Sequence, residues 1–122
     1  MRPGAPMAPD APDQHWKIAR SFARFAIDLP FSMFLSESAS IPVTTGRTHD
    51  ISLGGLGGML EEGVGMGQRL WLEFLLPNAT KPMRLLSKVR HGNERRFGFQ
   101  FLDITPEQRD AIRQASQGLP VV

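Results

Sequence analysis

The 122-residue sequence contains neither cysteine nor tyrosine. The lack of cysteine excludes a disulfide framework, a thiolate zinc site and a cysteine nucleophile, and it is typical of proteins in a reducing compartment. No apolar run approaches the about 20 residues that a membrane helix needs. Prolines stand where a signal peptide would carry its apolar segment. We therefore expect a cytoplasmic protein without membrane insertion.

Charge of either sign is also modest. The 14 basic and 12 acidic residues leave a formal net charge of +2, which by itself does not indicate a nucleic-acid-binding protein. Lysine is scarce, with three residues against 11 arginines. Because the planar guanidinium offers a fork of donors for phosphate and for the acceptor edge of guanine, this bias favours oriented recognition over diffuse attraction.

The N-terminal region has the composition of a disordered tail. Prolines recur at positions 3, 6, 9 and 12 among alanine, glycine and aspartate, so nothing in residues 1–14 can build a core. The remaining length suits one domain. We place this domain at residues 15–117 and treat residues 118–122 as a second, short tail.

Apolar residues alternate with other residues along most of the predicted domain. Residues 24–35 show a strict period of two, and Pro30 is expected to bend this strand. Five further segments have strand composition and are joined by short turns: residues 44–51, 57–60, 68–76, 83–91 and 95–102. No helix separates these strands, which excludes a doubly wound parallel sheet. We predict an all-β fold, a closed six-stranded antiparallel barrel, because closure removes the exposed strand edges.

One helix is predicted after the last strand. Thr105 has the side chain of an N-cap, Pro106 suits the first helical position, and Gln108 completes a capping box. The pattern continues to about Ser116, and the glycine and proline that follow end it. This C-terminal helix can cap the barrel.

Two short motifs indicate a binding site. Arg20 and Arg24 lie four residues apart, and the predicted strand of residues 44–51 runs into a second motif that contains Asp50 and Ser52. An acid and a hydroxyl two residues apart can point to the same side of a strand and accept the N–H donors of guanine. Gly55, three residues later, lets backbone approach a ligand closely. Together these residues predict a site for a guanine-containing phosphoester.

The same residues resemble the PilZ family. Arg-x-x-x-Arg before a first strand, followed by Asp-x-Ser-x-x-Gly after a second, is that family's pattern, and the glycine-rich continuation over residues 50–58 is similar as well. The strand at residues 96–101 and the terminal helix also lie where the family has them. The resemblance covers roughly residues 17–115 and implies a six-stranded antiparallel barrel that binds cyclic di-GMP and catalyses no reaction.

The resemblance also implies a role for each motif residue. Arg20 and Arg24 would grip phosphate and the Hoogsteen edges of the guanines. Asp50 and Ser52 would contact guanine from the barrel surface, and Gly55 would provide backbone clearance. We expect the ligand to order the arginine segment against the barrel, so that the new surface meets a protein partner that the sequence does not identify.

One departure from the family pattern affects stoichiometry. Many members carry further basic or glutamine residues directly before the first arginine, whereas Ile18 and Ala19 occupy those positions here. Lys17 stands one step further back. In the family this neighbourhood influences whether one ligand or an intercalated pair binds. Lys17 and Arg90 are weaker candidates for ligand contacts, since the simpler interpretation of each is a solvated residue at the end of a strand.

Enzymatic interpretations lack the necessary residues. His15, His49 and His91 do not have the spacing of a shared metal site, and the sequence has neither a nucleophile elbow nor a Walker lysine. His49 beside Asp50 suggests an acid–base pair, but neighbours in a regular strand point to opposite faces. We expect no enzyme, no metal and no cofactor.

Two non-enzymatic alternatives stay open. A small β-barrel with a basic groove and exposed aromatic residues can bind single-stranded nucleic acid. All the phenylalanines except Phe22 fall in strand patterns typical of buried residues, which argues against it. The second alternative is a PilZ-like interaction module that has lost its ligand, against which the intact motif argues.

Overall fold

A computed structural model describes residues 22–122. The predicted tail of residues 1–14, Lys17 and Arg20 therefore lie outside the described residues. The elements, in chain order, are β1 (Phe25–Ala26), β2 (Pro30–Phe34), β3 (Thr44–Ile51), β4 (Gly55–Leu60), β5 (Arg69–Phe74), β6 (Met83–Asn93), β7 (Arg96–Phe101) and the helix α1 (Pro106–Ser116).

Six of the strands close into an antiparallel barrel. The order around it is β3, β2, β5, β6, β7 and β4, and pairing of β4 with β3 completes the circle. β1 is a two-residue strand that pairs with the end of β3, with Phe25 opposite Ile51. The fold predicted from the alternating pattern, a closed six-stranded antiparallel barrel with a C-terminal helix, is confirmed.

The long first strand expected at residues 24–35 is divided into β1 and β2. The division lies before Pro30. Both strands pair with β3, and at the gap between them the hydroxyl of Thr48 on β3 takes the place of a backbone partner. Thr48 Oγ1 donates to the Ile27 carbonyl at 2.7 Å and accepts the Leu29 amide at 2.9 Å. A side chain thus satisfies backbone groups that a regular ladder would have paired, and the chain bends there.

The alternation of strand residues produces one core inside the barrel. Inward-facing side chains of all six strands are buried, including Met33, Leu56, Leu70, Leu72, Leu85, Val89 and Phe99, and Ile112 of α1 joins them. Phe31 and Phe99 meet edge to face with ring centroids 5.8 Å apart. Within residues 22–122, no helix is long and apolar enough to cross a membrane.

The helix begins as its sequence predicts. Thr105 Oγ1 accepts the Gln108 amide at 3.1 Å, and Gln108 Oε1 accepts the Thr105 amide at 3.0 Å, which completes the capping box. After α1 the chain turns at Gly118 (φ 85°), a left-handed conformation that favours glycine. The last residues then pair with the start of the barrel. Ala26 N donates to the Pro120 carbonyl at 2.8 Å, so the segment predicted as a short tail is ordered against β1.

Candidate functional site

Asp50 lies on the outer face of the barrel near the end of β3. Its cross-strand partner is Gly57 of β4, and a Cβ added at Gly57 would lie only 3.0 Å from Asp50 Oδ2. The carboxylate therefore leans over a position without a side chain. An acid resting on bare backbone can contact a flat ligand that approaches the same surface.

The strand is irregular beside Asp50. The register of β3 against β4 shifts between Thr48 and Asp50, which makes His49 the extra residue of a β-bulge. His49 Nδ1 lies 3.6 Å from Asp50 Oδ2. The expectation that these two side chains point to opposite faces is thus wrong, because the bulge breaks the period of two on which it depended.

Arg24, the residue directly before β1, contacts the Asp50 carboxylate. Its Nη1 donates to Asp50 Oδ1 at 2.9 Å, and the side chains are 41% and 20% exposed. The Arg24 carbonyl accepts the Val122 amide at 3.0 Å, so the C-terminal residues hold its backbone. The structure therefore joins the second arginine of the first motif to the acid of the second. Arg20, the other arginine, lies outside the described residues.

Ser52 shapes the turn between β3 and β4. Only 3% of the residue is exposed, and its Oγ accepts the amides of Gly54 and Gly55 at 3.1 and 3.2 Å. The hydroxyl also points to the Gly55 carbonyl at 3.5 Å. The local backbone thus uses the hydrogen-bonding capacity of this side chain. A direct contact between Ser52 and a ligand stays a prediction. The observed hydrogen bonds show that Ser52 stabilises the turn between β3 and β4.

Gly55 is required by the packing of the barrel. A Cβ at this position would collide with the carbonyl oxygen of Phe99 on β7. This close approach of two strands explains the glycine without a ligand. That Gly55 also lets a ligand approach the backbone closely stays a prediction. The packing of β4 against β7 is an independent reason for a glycine at this position.

Arg90, the weaker candidate on β6, is exposed at a second bulge between Val89 and His91. Its Nη1 donates to Gln100 Oε1 at 2.7 Å. Gln100 pairs with Gly55, so Arg90 leans toward the strands that carry the motif. Lys17, the other weaker candidate, lies outside the described residues.

Phe22 is a component of this region to which the sequence analysis gave no role. Its ring rests on Gly54, since an added Cβ there would lie 3.0 Å from Phe22 Cδ2, and 39% of the residue is exposed. Phe22 and Phe25 also line a cavity of about 390 Å³, with Leu53 and the C-terminal end of α1 on its other side. The available signal was that Phe22 is the one phenylalanine outside the alternating strand patterns, and it falls between the two arginines.

The described residues offer no site for a metal ion. Among residues 22–122, no group of three or more histidine or acidic side chains is gathered closely enough to hold one. The outer surface around Asp50 carries a guanidinium, a carboxylate and an imidazole. These groups can bind an anion and hydrogen-bond a base.

Comparison with known proteins identifies the family. The family model of the PilZ domain matches residues 19–118, and the chain belongs to the PilZ family. No curated protein matches the chain. The match includes both arginines and all three residues of the second motif.

Solved PilZ structures share the fold at low sequence identity. The PilZ domain with c-di-GMP of YcgR from Escherichia coli aligns with a TM-score of 0.64 and 18% identity, covering 80% of this chain and 88% of that one. The PilZ domain of CeSA from a cellulose-synthesizing bacterium gives 0.58 and 18%, covering 78% and 95%. The inhibitor of motility MotI/DgrA from Bacillus subtilis gives 0.63 and 20%, covering 80% of this chain and 49% of that one.

Proposed function

We propose that this protein is a receptor for cyclic di-GMP that uses Arg24 and Asp50 at the outer surface of the barrel. PilZ domains form a family of c-di-GMP receptors, and two similar structures, both of YcgR from Escherichia coli, were solved with that ligand. The observation that carries the proposal is the Arg24–Asp50 pair, 2.9 Å apart beside Gly57. It brings a phosphate-binding cation and an acceptor for guanine N–H groups to one point.

The chemistry of the pair suits this ligand. Each phosphodiester of cyclic di-GMP carries one negative charge, and a guanidinium with five N–H groups binds phosphate oxygens in a fixed geometry. One of those N–H groups holds Asp50 Oδ1 in the structure. Arg24 can turn its other donors to phosphate, while Asp50 Oδ2 accepts from the N1–H and N2–H₂ edge of guanine. The ion pair then orients both partners before the ligand arrives.

The remaining motif residues complete the proposed site. Ser52 fixes the turn that follows Asp50 through its two accepted amides. Arg20 is assigned to the site from the sequence, because an arginine four residues before Arg24 supplies the second guanidinium that a ligand with two phosphates needs. Lys17 and Arg90 stay weaker candidates.

The proposed output is a ligand-dependent surface without chemistry of its own. Closing the arginine segment over the barrel would create a face that includes the ligand, which a protein partner can then bind. That partner stays unidentified. A cytoplasmic location stays the prediction from the sequence.

No structural observation favours the alternative of a single-strand nucleic-acid binder. Such proteins stack bases on exposed aromatic side chains. Among residues 22–122 the phenylalanines are buried or partly buried apart from Phe22, which packs on Gly54. The interaction module without a ligand is not favoured either, because Arg24 and Asp50 already face each other.

Isothermal titration with cyclic di-GMP tests the proposal and measures affinity and stoichiometry together. We expect saturable binding at micromolar concentration or below, and little binding of cyclic di-AMP. Adenine lacks the O6 acceptor of guanine. It also lacks the N1–H and N2–H₂ donors from which Asp50 is proposed to accept hydrogen bonds. A protein that gives no heat with cyclic di-GMP, or binds both dinucleotides equally, would contradict the proposal.

A further inference from the structure

Two glycines face each other on the outer surface beside Asp50. Asp50 on β3 is opposite Gly57 on β4, Gly57 is opposite Gly98 on β7, and Gly98 is opposite His91 on β6. Directly opposed residues of a sheet point to the same face. Asp50, Gly57, Gly98 and His91 therefore form one row across four strands. The two central positions carry no side chain, and we call them the glycine strip.

The side chains at the two ends of the row lean over the glycine strip. The Asp50 carboxylate covers Gly57, where an added Cβ would lie 3.0–3.3 Å from its carboxyl atoms. The His91 ring covers Gly98, because a Cβ there would collide with His91 Nε2 and Cε1. Opposed Cα atoms in an antiparallel pair are about 5 Å apart. The carboxylate and the imidazole thus approach each other from opposite ends of the strip.

The two glycines of the glycine strip are expected to lower the stability of the strands that carry them. Glycine in a strand weakens it and commonly marks a place where a ligand or another backbone approaches closely. Gly58 and Gly55 are explained by close backbone contacts, since a Cβ would meet the carbonyls of Arg47 and Phe99. At Gly57 and Gly98 the three atoms nearest to an added Cβ belong instead to side chains, those of Asp50 and His91. Their lack of a side chain leaves room for the Asp50 and His91 side chains on the outer surface.

His91 has the features of a contact residue at this surface. It is exposed, it follows the bulge at Arg90, and it takes part in none of the five ion pairs among the described residues. A planar imidazole can pack against the face of a purine, as aromatic side chains do in other nucleotide-binding sites. Asp50 can at the same time accept hydrogen bonds from the edge of that base.

We propose that His91 is a base-contacting residue of the site and packs against a guanine that Asp50 holds by its donor edge over the glycine strip. This inference rests on the proposed function, because it assigns a further contact to the same ligand. It places the ligand across β3, β4, β7 and β6, and so extends the site beyond the two motifs to a residue that lies 36 positions after Gly55.

Calorimetric titration of four proteins with cyclic di-GMP tests the role of His91. The wild type is compared with His91→Ala, His91→Phe and the control Asn93→Ala, which alters an exposed residue two positions further along β6. Base stacking on an aromatic side chain corresponds to a loss of roughly ten- to hundredfold in affinity when the ring is removed. We expect that loss for His91→Ala, and affinities within about threefold of the wild type for His91→Phe and Asn93→Ala.

A direct readout accompanies the titration. The imidazole proton signals of His91, assigned by their absence in His91→Phe, should shift when cyclic di-GMP is added, because a stacked purine exerts a ring current. Full affinity in His91→Ala, equal losses in His91→Ala and His91→Phe, or unshifted imidazole signals would each overturn the assignment. If only the His91 results fail while Arg24→Ala loses binding, the proposed function survives. If the wild type does not bind, both proposals fail.

Discussion

Two arginine–carboxylate pairs on this barrel have nearly the same length but different surroundings. Arg24 lies 2.9 Å from Asp50, and Arg84 lies 2.8 Å from Glu73 on the neighbouring strand. Arg84 also donates to the carbonyls of Glu37 and Ala39 at 2.8 and 2.7 Å. Its Cζ lies 3.6 Å from the centroid of the Phe34 ring.

The difference separates a structural arginine from one that can bind a ligand. Arg84 is 20% exposed and spends its donors on the loop after β2, which it ties to the barrel. Arg24 is twice as exposed and makes one hydrogen bond to a side chain within the described residues. The length of an ion pair therefore says little about its role. The two arginines differ in how many of their N–H donors remain available to bind a ligand.

The largest expected effect is on stability, from Arg84→Ala. This change removes two hydrogen bonds from a charged group, an ion pair and a contact with an aromatic ring, so we expect the free energy of unfolding to fall by about 3 kcal/mol. Denaturant titration measures it. Affinity for cyclic di-GMP, measured where the variant is folded, should stay near that of the wild type. A stability loss below that of Arg24→Ala would break the comparison.

Arg24→Ala should show the opposite behaviour. Removing a partly exposed pair changes the free energy of unfolding by about 0–1 kcal/mol. The loss of charge-assisted hydrogen bonds to phosphate should weaken cyclic di-GMP binding by about 1.5–3 kcal/mol, and Arg20→Ala should do the same. Calorimetry and thermal melting check the two quantities.

Arg109→Ala is the matched control for the arginine variants. Arg109 is an exposed arginine on α1 that belongs to neither motif, and its removal lowers the charge by the same amount. It should bind like the wild type. Tight binding by both Arg20→Ala and Arg24→Ala would refute the site assignment, whereas a large drop in their melting temperatures would give the two arginines a structural role.

Asp50→Ala sharpens the comparison at the carboxylate end. We expect it to lose more affinity than Glu61→Ala, because only Asp50 is held beside Arg24 and the glycine strip, while Glu61 is exposed in the turn after β4. The loss should be about 1.5–3 kcal/mol, the range for a hydrogen bond to a charged group. Equal losses in both variants would indicate a general effect of charge.

The fold could be predicted because its determinants are local. The alternation of Phe97, Phe99 and Phe101 follows from a strand with one buried face, and the capping box of Thr105 and Gln108 needs only four consecutive residues. The start of β4 at Gly55, two residues earlier than expected, was hidden. Glycines that turn out to be cross-strand contacts look the same in the sequence as glycines in a turn.

The sequence predicts the residue types of the candidate site, but not how the strands bring those residues together. The spacing of Asp50 and Ser52 predicts a ligand contact for each, and both contacts stay predictions. The hydrogen bonds that Ser52 Oγ accepts from the Gly54 and Gly55 amides could not be read from that spacing. The bulge at His49 and the approach of His91 to Gly98 depend on the register between strands far apart in sequence. Such register is fixed by the packing of the whole barrel.

The smallest expected effect concerns the N-terminal residues and salt. Deleting residues 1–14 removes one arginine and two aspartates, and the proposed site begins at or after Lys17. Affinity for cyclic di-GMP should therefore stay nearly unchanged.

Affinity for cyclic di-GMP should also fall only modestly between low and physiological salt, because the ligand has two charges that a few oriented contacts bind. A single-strand binder would instead lose log K at about −0.7 per phosphate contacted. Titrating the deleted and full-length chains with cyclic di-GMP and with a random oligonucleotide at several salt concentrations checks both points. Strong, salt-sensitive oligonucleotide binding without a response to cyclic di-GMP would make the nucleic-acid alternative the better account.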